Sequence, residues 1–130
     1  MSALAELVDK AAALIEVRGL CLTDFVGPDQ ELCPAGAVAE ALDLPPGVWV
    51  DPPWQIADSD AYHDGVAALR ELVASLGYQM ADHGQEPWTG ETLANHIAFW
   101  LDDDRPTAAH VVGWMRDVAS ALRPAGAVAA

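Results

Sequence analysis

Over the first twenty residues apolar side chains recur at steps of three and four. Leu4, Leu7, Val8, Ala11, Leu14 and Ile15 share one face, and Glu6, Asp9, Lys10 and Glu16 point away from it. The pattern predicts an amphipathic helix over about 4–18, closed by Gly19. The helical period then stops. Residues 20–26 and 31–33 flank the turn formers Gly27, Pro28, Asp29 and Gln30, so a short β-hairpin is expected, with Pro28 and Asp29 at the centre of its turn. That register sets Cys33 opposite Asp24 and leaves Cys21 further down the ladder, which argues against a disulfide between the two cysteines.

Pro34 suits the first turn of a second helix over about 35–42, whose Gly36, Ala37, Ala39 and Ala41 allow close approach of neighbours. Pro45, Pro46, Pro52 and Pro53 rule out a helix through 43–54 and favour extended backbone there. A third helix, capped by Asp58, Ser59 or Asp60, carries Tyr62, Val66, Leu69, Leu72, Val73 and Leu76 on one face and ends at Gly77. Turn formers and Trp88 fill 78–90. A fourth helix starts at Thr89 or Thr92 with the stripe Leu93, Ile97, Trp100 and Leu101, and Asp102, Asp103 and Asp104 stop it, because anions are disfavoured at the carbonyl end of the dipole. Thr107 caps a fifth helix bearing Val111, Val112, Met115, Val118, Ala119 and Leu122. The sum predicts a mainly helical α+β domain of about five helices and one small hairpin over 1–123, followed by a flexible tail over 124–130.

Composition narrows the function classes. A chain of 130 residues, 52% of them hydrophobic, suits one domain with a sizeable core. Against 20 Asp and Glu stand 6 Lys and Arg, a formal charge of -14, so a protein that grips phosphate backbones with its own cations is excluded as an expectation. Glu6, Asp9 and Glu16 interrupt the opening residues, which lack the basic start and apolar run of a secretory signal, and no stretch is apolar enough to span a bilayer. A cytoplasmic protein with Cys21 and Cys33 as buried thiols is expected.

Two stretches carry a resemblance. Arg18-Gly19-Leu20 followed by Cys33-Pro34-Ala35-Gly36-Ala37-Val38-Ala39-Glu40-Ala41 is similar to a "rGW … CpxGAxxxA" pattern. Trp100-Leu101-Asp102, four further residues, Thr107 and then Val111 is similar to a "W-N-D, four residues, T, three residues, V" pattern. Both patterns belong to an uncharacterised family of small proteins of actinobacteria and their bacteriophages, which this chain resembles from the first helix to about Leu122. The chain departs from them at Leu20 in place of Trp, at Leu101 in place of Asn, and at His110 in place of a frequent Glu, so no polar role of that Asn or Glu carries over. The resemblance implies a fold and an origin; it implies no activity.

Candidate chemistry is sparse. Asp60, His63 and Asp64 fall at helical spacings of three and four and offer a weak metal-binding set, although acids in a first helical turn are ordinary dipole partners. Asp102, Asp103 and Asp104 lack the glycine and closing Glu of a calcium loop, and Arg105 beside them offsets their charge. His83, His96 and His110 stand apart at no metalloprotease or deaminase spacing, and nothing recommends a Cys33–His96 nucleophilic couple. Trp49, Trp54 and Trp88 lie in loops rather than on helical stripes, so they form either a rigid recognition surface or a lid on the core. The expected function is therefore that of a non-enzymatic acidic interaction domain without a cofactor, an actinobacterial or phage accessory protein that binds a basic host protein. Its interaction residues would be Trp49, Trp54, Trp88 and Asp102, Asp103 and Asp104. The alternatives are a small-molecule-binding protein or minor enzyme with a pocket near the Trp-bearing loops, and a homo-oligomer.

Overall fold

A computed structural model of the chain describes residues 3–76 and 89–123. Its elements are α1 (Ala3–Arg18), α2 (Pro34–Ala41), α3 (Trp54–Ala57), α4 (Asp60–Ser75), α5 (Gly90–Asp104) and α6 (Ala108–Leu122). Local chemistry sets most of their ends. Gly19 closes α1 in the left-handed region at φ 92° and donates to Ile15 O at 2.7 Å. Cys33 caps α2, its Sγ accepting the Gly36 N–H at 3.3 Å, with Pro34 in the first turn. Of the three caps foreseen for α4, Ser59 serves, its Oγ accepting Tyr62 N–H at 3.2 Å. Thr89 and Thr107 cap α5 and α6 in the same way. α5 runs through Asp102, Asp103 and Asp104 and stops at Arg105, which takes a left-handed φ of 44°. The one-turn α3, after Pro53, was not foreseen in the proline-bearing stretch.

The expected α+β fold with a β-hairpin is corrected: among the described residues the fold is mainly helical, with no strand, sheet or hairpin. The turn itself forms, with Gly27 N–H bonded to Glu31 O at 2.8 Å and Gln30 N–H to Gly27 O at 3.0 Å. Gln30, however, adopts a left-handed φ of 70°, which adds a third residue to the turn. Val26 therefore faces Leu32 rather than Glu31, a slip of one position from the expected register. Residues 22–25 bend instead of extending, so Leu20 returns to the other side of Leu32. Leu32, wholly buried, is bridged by Leu20 in the parallel sense and by Val26 in the antiparallel sense, and neither bridge grows into a ladder.

Burial of the apolar faces holds the helices together. α1 packs most extensively on α6 and α2, and α4 packs on α5. Ile15, Leu32, Leu69, Leu72, Leu93, Ile97 and Met115 are fully enclosed in one contiguous core, each such side chain contributing roughly 1.5–3 kcal/mol relative to exposure. Arg116 reaches Glu16 at 3.1 Å and Arg123 pairs with Asp9, tying α6 to α1 along its edges. Such partly exposed pairs contribute about 0–1 kcal/mol each, so packing rather than charge fixes this helix pair. No helix among the described residues is long and apolar enough to cross a membrane. Trp88, the Gly77 end of α4, the turn-rich 78–88 and the tail over 124–130 lie outside the described residues.

Candidate functional site

The tryptophans of the loops separate sharply. Trp49 is only 1% exposed. Its Nε1–H donates to Ala35 O at 2.8 Å and its ring lies 5.5 Å from that of Tyr62, tilted against it. Two glycines make the slot: a Cβ on Gly65 would fall 2.4 Å from Trp49 Cη2, and one on Gly90 would fall 3.0 Å from Trp49 Cε3. Trp49 is thus a core residue joining α2, α4 and α5, and is not available as a recognition surface. Trp54, by contrast, is 73% exposed at the start of α3. Trp100, expected in the core, is partly buried and lies 4.6 Å from Trp114, whose Nε1–H donates to Ser75 Oγ at 2.7 Å.

The charged candidates stay apart from one another. Asp60, His63 and Asp64 are exposed on the first two turns of α4, and no group of three His, Cys, Asp or Glu among the described residues is placed to hold a metal. Asp102, Asp103 and Asp104 are exposed in the last turn of α5, where Asp102 meets Arg105 at 3.8 Å. His96 Nδ1 lies 2.9 Å from Thr92 O on its own helix. Burial pushes the Cys33 thiol up to about 11, outweighing the backbone N–H groups of Gly36 and Ala35 that favour the thiolate. A thiol so held is a poor nucleophile at neutral pH, which removes the Cys33–His96 couple. Cys21 and Cys33 are both free and buried.

What the side chains do build is a cleft of about 220 Å³ between the 22–25 bend, Val50 and α5. Leu22, Phe25, Ala94, Ala98 and Leu101 give it apolar walls, and Thr23, Asp24 and Asn95 are its polar lining. Val50 at its edge is 47% exposed, and Phe99, next to Ala98 in the chain, is 60% exposed. The bend is held by Cys33 N–H donating to Phe25 O at 3.3 Å and by the close seating of Gly36, where a Cβ would fall 2.2 Å from Phe25 O. Among the described residues, a hollow beside His110, Gly113 and Trp114 is lined by α6. The linear pattern of the chain does not mark the cleft at the 22–25 bend, because its walls come from a segment with the look of a strand and from alanines that suit any helix. The signal that was present is the spacing Ala94, Asn95, Ala98, which leaves a shallow strip along α5.

A family model described as a family of unknown function, DUF6197, matches residues 1–121. The match covers both stretches that resemble an uncharacterised family. No curated protein and no solved structure matches the chain.

Proposed function

We propose that this chain, which belongs to the DUF6197 family of unknown function, acts by contact, as an acidic docking domain for a basic protein partner in the cytoplasm of an actinobacterium or of a cell infected by its phage. One observation carries the reading. The chain has 20 acids and 6 cations. Arg18, Arg105, Arg116 and Arg123 each lie within ion-pair distance of one of its own carboxylates, Glu40, Asp102, Glu16 and Asp9. No charged residue among those described is buried. The cations are largely engaged at home, and the excess carboxylates set their field outward. Such a field steers basic surfaces into contact and repels nucleic acid phosphates.

At this cleft, size favours a contact surface over a small-molecule site. At about 220 Å³ it is smaller than the roughly 300–1,000 Å³ pockets that enclose drug-sized ligands. The test is a pull-down from actinobacterial lysate on the immobilised chain, loaded at about 50 mM salt and eluted in steps to about 500 mM, where screening is strong. A basic protein retained at low salt and released by the steps is the expected result. Retention of no such protein, or of proteins that salt leaves bound, would remove the contact reading.

A further inference from the structure

We infer that the cleft between the 22–25 bend, Val50 and α5 is the anchor point of this docking surface, and that its occupant is an apolar side chain of the partner flanked by lysine or arginine. The inference rests on the contact reading above and adds the place and the chemistry of recognition. Two features fix the occupant. The walls from Leu22, Phe25, Ala98 and Leu101 are apolar, and the volume of about 220 Å³ suits one or two side chains. The surround is anionic: Asp24 lines the cleft, Asp51 follows Val50, and Asp102 stands one turn beyond Ala98 on the same side of α5. Asp102 is engaged only in the exposed pair with Arg105 at 3.8 Å, which a partner cation can displace at little cost. An acidic rim around an apolar centre selects a basic segment with a greasy anchor and rejects an acidic one of the same shape.

The cleft is also preformed. Its bend is tied by the Cys33 N–H to Phe25 O bond and its far wall is the regular helix α5, so docking orders little backbone of this chain. No carboxylate reinforcement is needed from Asp60 or Asp64, which lie on α4 and take no part in the lining.

The test uses the full chain and three labelled helical peptides of about fifteen residues, read by fluorescence anisotropy. One carries leucine on one face and lysine on the other, one replaces its leucines by serine, and one replaces its lysines by glutamate. The leucine–lysine peptide is expected to bind, with at least a tenfold weaker affinity for the serine version and no binding of the glutamate version. Ala98→Phe, which fills the cleft from an exposed helical position, is expected to weaken the leucine–lysine peptide at least tenfold and to leave the serine–lysine peptide unchanged. Circular dichroism establishes that this variant is folded. If it is not, methyl NMR of the unaltered chain takes its place: Val50, Ala94 and Ala98 signals are expected to move first on titration. Equal binding of the leucine–lysine peptide by Ala98→Phe, or shifts that spare those methyls, overturns the cleft and leaves the contact reading standing. Equal binding of the glutamate peptide overturns the charge complementarity. Failure of both lysine peptides to bind at low salt overturns the contact reading itself.

Discussion

Cys33 gives the fold a pH dependence of definite sign. Its thiol ionises near 11 in the folded chain and near 9 when unperturbed, so below pH 9 both states hold the proton and the group is neutral in the balance. Above that, the unfolded chain loses the proton first, and stability falls as pH rises towards 11. Two pKa units correspond to about 3 kcal/mol at full development. Urea midpoints taken from pH 8 to 10.5 should show the unaltered chain declining more steeply than Cys33→Ser, which keeps a cap for α2 and has nothing to ionise there; parallel curves would refute this assignment. Cys33 was legible as a small buried thiol, because free cysteine is ordinarily core. For Trp49 the sequence left open a recognition surface or a place on the core, and its burial decides for the core. The choice could not be read because its slot is made by Gly65 and Gly90, residues far from it in the chain that leave no local periodicity behind.

Among the elements, the helices could be read because the information that makes them is local. Apolar spacing gives the buried face, and Ser59, Thr89 and Thr107 supply the side-chain oxygens that satisfy the first free N–H groups. Thr107→Ala removes the acceptor of His110 N–H, at 3.1 Å, and is expected to cost about 1 kcal/mol, lowering the thermal midpoint followed by circular dichroism; Thr107→Ser should restore most of it. The segment over 20–33 misled for the opposite reason. Its residues 20–26 and 31–33 flank turn formers as the arms of a hairpin do, yet Leu20 and Val26 both pair with Leu32, which only a bend between them permits. Sequence periodicity carries which residues face inward and not which partner they meet, so the turn was placed and its register was missed by one residue. The candidate cleft depends on that same bend, and was hidden with it.

For the molecule as a whole, charge opposes compactness. With 20 acids against 6 cations, repulsion among carboxylates outnumbers the ion pairs that salt would weaken. Raising salt from about 20 to about 200 mM shortens the Debye length from roughly 20 Å to below 10 Å and should raise the thermal midpoint by a few degrees, about 1 kcal/mol in a chain this size. A midpoint that falls with salt would mean that Arg18–Glu40, Arg116–Glu16 and Arg123–Asp9 outweigh the repulsion. The positions of most helices were readable from the chain, while the hairpin expected beside them does not form and the joint between α2, α4 and α5 was not readable. That joint leaves a mark on descent. The indole at 49 and the bare backbone at 65 are lock and key, so a lineage must shrink or shift the first before it can decorate the second. Kindred chains that keep the large ring should keep the glycine at 65, and a side chain there should be found only where that ring has been lost.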